Sequence, residues 1–299
     1  MCLRALCTLL LPVLLALPGL ALGAAPLATV TILDGDATVL RGATRLILAE
    51  GVRVEAEDIA ETGDKTRLLR IEFDDGLIFD LGPGSRALLA PRFSGDRTRS
   101  ARFYLMQGWA KVTVPKTTPA PPASFASPGF DLTALTRQIV VSIQPGEALL
   151  FAEAGEATLV ERKAGKPLAP MVLKSDQFLS RTGDDKPVVT TRPTQAFIQR
   201  LPRPFLDTLP SRAAVFKARE VEPKKLADIV WADAQPWVDA EASLRPLFLA
   251  RWKPLAANPE FRKGLLTNER AHPEWDRVLH PEKYLPKPAA SVPRGYPSR

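Results

Sequence analysis

Short apolar runs that alternate with polar residues, cut every 8–12 positions by glycine-containing turns, constrain this chain more than any other feature. Thr29-Val-Thr-Ile-Leu33, Ala37-Thr-Val-Leu40 and Thr44-Arg-Leu-Ile-Leu48 are separated by Asp34-Gly35 and Arg41-Gly42. Leu68-Leu-Arg-Ile-Glu-Phe73 and Leu77-Ile-Phe-Asp-Leu81 flank Asp75-Gly76. A period of two places every second side chain on one face of a strand. An Asp-Gly pair between such runs predicts a hairpin with a type I′ turn. Gly82-Pro83-Gly84 turns the chain before Ala87–Ala90, and Phe103–Met106 and Trp109–Val114 repeat the pattern. Strands this short predict an all-β sandwich, barrel or stacked β-roll.

The 299 residues are a length at which about two domains of roughly 100–200 residues are expected. With 45% hydrophobic and 24% charged residues the chain is neither wholly disordered nor fibrous. Its 29 prolines, about twice the usual ~5% share, shorten the elements and lack the Gly-X-Y period of collagen. Five of them, from Pro115 to Pro128, mark residues 115–130 as an exposed, semi-extended loop inside the β region. Strands are expected to resume at Gln138–Ile143, Glu147–Phe151, Ala157–Glu161, Met171–Leu173 and Val188–Thr191.

After Thr194 the period becomes helical. Leu244, Leu247, Phe248, Trp252 and Leu255 fall on one helical face with Ser243 placed as N-cap, and Asn258-Pro259 opens a second helix. Charge divides at the same place. Residues 24–193 carry 21 basic and 21 acidic side chains, and residues 194–299 carry 18 and 12. The expected organisation is a segregated α+β chain: leader 1–23, β domain 24–193, basic Trp-containing helical region 194–285, and disordered tail 286–299.

The leader has Arg4, an apolar run from Ala5 to Leu22, and small residues from Gly19 to Ala25. This is the pattern of a secretory signal peptide cleaved near Gly23–Ala24, with an uncleaved anchor as the alternative. Pro12 and Pro18 favour cleavage, and no later stretch reaches the ~20 apolar residues of a membrane span. Cys2 and Cys7 both lie in the leader, so the mature chain is expected to lack disulfides, thiolate metal sites and a cysteine nucleophile. A bacterial periplasm fits best.

The stretch from Leu48-Ala-Glu-Gly51-Val52 through Glu57-Asp58-Ile59 and Thr62 to Leu69-Arg-Ile-Glu-Phe73-Asp-Asp75-Gly76 resembles the FecR-type domain. Leu81-Gly82-Pro83-Gly84-Ser85, Gly108-Trp109-Ala110-Lys111 and Phe151-Ala-Glu153-Ala-Gly155 continue the likeness, over roughly residues 29–185. The resemblance implies an all-β periplasmic domain. In the eponymous proteins that domain belongs to a transmembrane regulator relaying an iron-siderophore signal to a sigma factor. Here a leader stands where those regulators have a cytoplasmic segment and a membrane helix, so fold and compartment are carried over and the signalling role is not. Glu57 occupies a place where the family usually has glycine, and Ser127-Pro128 and Gln138-Ile-Val-Val replace its second-half pattern. The family supplies no catalytic residues.

Chemistry-bearing residues are sparse. His272 and His280 each open a His-Pro-Glu triplet; with Glu274, Asp276 or Glu282 they form the one conceivable metal set, but proline interrupts the spacing that helical ligand pairs need. Each triplet reads instead as a proline-started helix with glutamate in its first turn. Trp231, Trp237, Trp252 and Trp275 read as core, with a glycan or partner surface as the alternative. Arg92, Arg97, Arg99 and Arg102 read as a solvated hairpin tip. Asp74-Asp75 and Asp184-Asp185 lie in turns, and neighbouring strand residues point to opposite faces, so neither is a catalytic pair. No phosphate loop, Gly-x-Ser-x-Gly elbow or His-Glu-x-x-His occurs. The expectation is a non-enzymatic periplasmic binding or scaffold module without catalytic, cofactor or metal residues. It would recognise a protein or an envelope polysaccharide such as peptidoglycan, and no nucleic acid. An accessory sensor of a trans-envelope pathway and a cell-wall hydrolase are the alternatives.

If the leader reading holds, mass spectrometry of the exported protein will place its first residue within a position or two of Ala24. Full-length chain in the cytosol would contradict it.

Overall fold

The structure, a computed structural model, describes residues 26–117 and 123–285. The leader, the middle of the proline-rich segment and the tail 286–299 lie outside the described residues. In chain order the strands are β1 (Pro26–Asp34), β2 (Ala37–Arg41), β3 (Thr44–Ile47), β4 (Arg53–Glu55), β5 (Ile59–Thr62) and β6 (Leu68–Phe73). They continue as β7 (Ile78–Leu81), β8 (Arg86–Leu89), β9 (Phe103–Thr113), β10 (Phe125–Ser127), β11 (Phe130–Leu135) and β12 (Gln138–Gln144). Then come β13 (Glu147–Ala154), β14 (Ala157–Lys163), β15 (Lys166–Leu173), β16 (Phe178–Thr182) and β17 (Val188–Thr190).

These strands form one curled sheet folded back on itself, in which β9 belongs to both faces. Its second half, from Gly108, pairs with β12, and Ala110–Thr113 also pairs with β7. This first face runs β4-β1-β6-β7-β9-β12-β13-β16-β17, all antiparallel. The first half of β9 pairs with β8 and, in parallel, with β10. The second face therefore runs β3-β2-β5-β8-β9-β10-β11-β14-β15. Inward-pointing residues of both faces, such as Val30, Ile71, Phe79, Phe103 and Leu150, make one buried core. The Phe79 ring of the first face stacks on Phe103 of the second at 3.6 Å, and Phe103 stacks on Phe125 of the neighbouring strand at 5.4 Å.

The fold at β9 is built from Gly82, Ser85 and Gly108. Gly108 has φ +98°, and a Cβ there would collide with Ser85. The Ser85 hydroxyl accepts from the Trp109 N–H at 2.9 Å and sits 2.9 Å from the Gly82 carbonyl. Thr62 donates to that carbonyl at 2.7 Å. Leu81–Ser85 thus forms the corner around which the sheet turns.

Two of the expected turns differ from the structure. Asp34-Gly35 does not close a hairpin, since β1 pairs with β4 and β6 while β2 pairs with β3 and β5; the link crosses between faces. Asp75-Gly76 does close the β6–β7 hairpin, but only Gly76 has positive φ, +85°. The Gly76 N–H donates to Phe73 O and the Phe73 N–H to Leu77 O, a three-residue loop with a glycine bulge rather than a type I′ turn. Within the segment expected to be an exposed loop, Phe125–Ser127 is a fully buried strand. The register with β9 outweighs local proline content there. Glu57 takes φ +66°, a conformation that favours glycine.

The C-terminal region wraps both outer faces. α1 (Gln195–Arg200) and the 3-10 turn Arg203–Leu206 bring Phe197 and Phe205 onto the outer side of the first face, against Trp109, Val140, Leu149 and Phe178. Burying each phenyl contributes roughly 1.5–3 kcal/mol. After α2 (Ala213–Phe216), β18 (Lys224–Asp228) adds to β3 at the edge of the second face. The helical half therefore contains a strand. Then α3 (Trp231–Val238), α4 (Arg245–Trp252), α5 (Pro259–Thr267) and α6 (Asp276–Leu279) cover the outer side of the second face. Trp237, Phe248 and Trp252 pack there with Leu40, Ile59, Leu88 and Tyr104 of the strands.

Asn258 caps α5 as expected, accepting from the Glu260 and Phe261 N–H groups. Ser243 does not cap α4: Leu244 precedes the helix and Pro246 sits in its first turn, while the Ser243 hydroxyl is held by Arg99. No helix among the described residues is long and apolar enough to cross a membrane.

The wrapping explains why β6 is buried at all six positions despite its alternation. Arg70 forks onto Asp80 at 2.7 and 2.8 Å and donates onward to the Leu209 and Pro210 carbonyls. Glu72 accepts from Thr31 and from the Arg212 N–H. Lys111 donates to Phe205 O at 2.6 Å. On the other face Arg251 donates to the Leu40, Gly42 and Glu57 carbonyls, and the Trp252 indole to Gly42 O.

Gly108→Ala is expected to lower stability by about 2–4 kcal/mol, because a left-handed backbone and the Ser85 contact are strained together. An unchanged denaturation midpoint would show that the bend at β9 tolerates a side chain.

Candidate binding groove

Turns of the second half of the sheet gather at one end of the molecule. They are Pro128-Gly129 between β10 and β11, Pro145-Gly146 between β12 and β13, Ala164-Gly165 between β14 and β15, and Gly183-Asp184 after β16. Residues 94–99, between β8 and β9, and residues 241–243, between α3 and α4, close the side. They enclose a cleft of about 940 Å³ and a smaller hollow of about 210 Å³, both bordered by Pro128 and Arg181. Loops held on a rigid sheet are where binding surfaces concentrate.

A buried charge network forms the floor. The Asp131 carboxylate accepts from Arg99 at 2.8 and 3.0 Å and also from Arg162. Arg162 extends to Asp96 at 3.2 Å, and Arg99 to Glu241 and to the Ser243 hydroxyl at 3.0 Å. Arg99 and Asp131 are almost fully buried, so each charge requires the other. The Thr98 hydroxyl at 2.6 Å and its N–H at 3.0 Å, then Arg162, hold the Asp96 carboxyl down to about 2. Burial first, then the Glu241 charge, pushes the Tyr104 phenol well above its usual range.

Arg181 is the least committed of the three arginines that border the groove. Its guanidinium lies 4.4 Å over the Phe130 ring, and its contacts to Glu161 and Gly129 O are both long, 3.4 Å. Gly129 beneath it has φ +86°, a backbone that favours glycine, and a Cβ there would push the guanidinium aside. Arg99, Arg162, Lys166 and Arg181 on the walls face Asp96, Glu147, Asp184 and Glu241, so the lining charge is balanced. Among the described residues, no aromatic ring, histidine or cysteine borders either hollow.

The residues singled out from sequence are distributed differently. The arginine cluster is a solvated tip only at Arg92 and Arg97, which are exposed; Arg99 is buried, and Arg102 bonds Asp75 at 2.7 Å and covers the Phe73 ring. Asp184 borders the groove, whereas Asp75 serves its turn by accepting from Leu77 N. Trp237, Trp252 and Trp275 are core residues, and Trp231 stands edge-on to Phe261 at 5.4 Å. The two histidines have separate partners: His272 Nε2 lies 2.7 Å from Asp239, and His280 Nε2 lies 2.6 Å from Glu269. Glu269, Asp276 and His280 come within reach of a single ion, but Lys283 at 2.8 Å and Tyr284 already occupy Asp276, so we place no ion there. Arg162, Lys166, Arg181 and Glu241 went unnoticed in sequence. The turn glycines beside them were its one local trace.

No protein-family model matches the chain, and no curated protein matches it. Among solved structures it is similar to two crystal structures, at 2.50 and 1.65 Å, of "a putative anti-sigma factor from Parabacteroides distasonis ATCC 8503". Each is 13% identical and overlaps 48% of this chain, with TM-scores of 0.37 and 0.36. The chain spans 64% and 65% of the length of those two. A likeness at that level carries no argument about function.

The Asp96 carboxyl carbon is expected to titrate by NMR with a midpoint near the about 2 that its hydrogen bonds impose. As the pH falls from the ordinary carboxylate range toward that value, its hold on Arg162 is lost. Thr98→Val should move the midpoint upward; a midpoint already at the ordinary value would mean the loop is not anchored in this way.

Proposed function

We propose that this chain is a non-enzymatic, FecR-like binding module of the periplasm that takes up an extended segment of another envelope protein in the loop-end groove. The observation that carries this reading is the groove's lining: four cations and four carboxylates in balance, with no aromatic platform among the described residues. Polyanions call for a net basic track, and sugar rings and bases stack on exposed aromatic faces. A polypeptide presents carbonyls, N–H groups and charges of both signs, which arginine forks and carboxylates on turn tips can satisfy. The tryptophans that would serve a glycan are mostly core.

The partner's identity, and whether its capture serves scaffolding or signalling, belongs to the same proposal. A photo-reactive residue at Lys166 or Asp184, both exposed on the groove, should trap one discrete protein in intact cells, and the same probe at Lys263 on α5 should not. Arg181→Glu should weaken the captured complex about tenfold or more, roughly 1.4 kcal/mol. Adducts to glycan strands, or equal capture from Lys263, would overturn the reading.

A further inference from the structure

The helical layer carries a hollow whose charge is unlike that of the groove. The 3-10 turn Lys253–Ala257 after α4 packs against α5 and α6. There Lys253, Arg262 of α5 and Arg277 of α6 stand around about 530 Å³, and the rest of the lining is apolar, including Pro254, Val278 and Pro281. No carboxylate among the described residues lines it. Those of the neighbouring turns are engaged elsewhere. Asp276 holds Lys283 at 2.8 Å and the Tyr284 hydroxyl, while Glu269 at 2.6 Å and Glu282 at 3.3 Å face His280. Arg262 donates to the Leu279 carbonyl, which holds its guanidinium in place.

Exposed apolar surface adjoins these cations. The Arg277 guanidinium lies 5.0 Å from the Tyr284 ring, and Tyr284 is 50% and Leu285 67% exposed. The sequence continues through residues 286–299 with Lys287, Arg294 and Arg299 and no acidic side chain. A free anion would use the cations and leave Leu285 and the apolar lining in water. An acidic peptide chain would likewise give Leu285 nothing to enter. An anionic bilayer uses both features, because its phosphates meet basic side chains while leucine and the amphipathic tyrosine ring are favoured at headgroup level.

We propose that this corner of the helical layer docks the protein on an anionic phospholipid surface. Lipid phosphates lie at Lys253, Arg262 and Arg277, and Tyr284 and Leu285 enter among the headgroups. Each basic side chain brought to such a surface strengthens binding about fivefold, so three together give on the order of 100-fold. The docking is independent of what the groove holds.

Co-sedimentation of the exported protein with lipid vesicles tests this. Vesicles of phosphatidylglycerol mixed with phosphatidylcholine should bind it on the order of 100-fold more tightly than vesicles of phosphatidylcholine alone. Lys253→Glu combined with Arg277→Glu should remove most of that difference. Lys65→Glu combined with Lys174→Glu makes the same change of net charge at exposed turn lysines of the β region and should leave the difference intact. Leu285→Asp should weaken vesicle binding about fivefold or more. Equal binding to both kinds of vesicle, equal loss in the Lys65 and Lys174 pair, or an unaffected Leu285→Asp variant would each overturn the proposal. Full displacement by inorganic phosphate at matched ionic strength would reduce the site to one for a free anion. Retention on polyglutamate but not on vesicles would make it a site for an acidic protein, and either result likewise overturns bilayer docking.

Discussion

Buried cations that donate to the backbone of another layer hold this molecule together. Arg70 is held by Asp80 in the sheet, yet its remaining donors end on the Leu209 and Pro210 carbonyls. Arg251 performs the reverse service from α4, ending on three carbonyls of the strand region. A guanidinium removed from water requires its hydrogen bonds, and a carbonyl in a wrapping segment requires a donor. The two needs are met together, so the outer faces of the sheet are charged and still buried. The aromatic contacts of Phe197, Phe205 and Trp252 add area, but the guanidinium forks set where the wrapping chain lies.

That arrangement marks how far the sequence could be read. The strands were legible because alternation is local, and the β6–β7 hairpin was legible because Asp75-Gly76 is. The β1–β2 link was misread for the same reason: Asp34-Gly35 has the composition of a hairpin, while β1 finds its partners in β4 and β6, far along the chain. β18 was invisible, since Lys224-Lys-Leu-Ala-Asp228 is exposed throughout and is a strand only because β3 offers an edge. β10 was hidden among prolines and is ordered by its parallel register with β9. Ser243 had the chemistry of a cap, but a charged partner, Arg99, competed successfully for its hydroxyl.

The groove was less legible than the fold. Its arginines come from β9's approach loop, β14 and β16, and nothing in their spacing brings them together. Only the antiparallel pairing of β11 with β14, and of β13 with β16, places those turns at one end. The sequence pointed to histidine and tryptophan as the rare and chemically informative residues, and the structure uses most of them within the helical layer. Arginine and glycine, common and uninformative singly, make the surface that remains accessible.

The wrapping segment is made after the sheet that it covers. For a polypeptide that emerges amino end first, from a ribosome or through a translocation pore, Arg70 and Lys111 appear long before residues 205–210 arrive to receive them. The edge at β3 likewise waits for residues 224–228. Until then the nascent sheet carries unfinished charged faces and one bare margin, so the order of synthesis sets the order in which its outer layers can close.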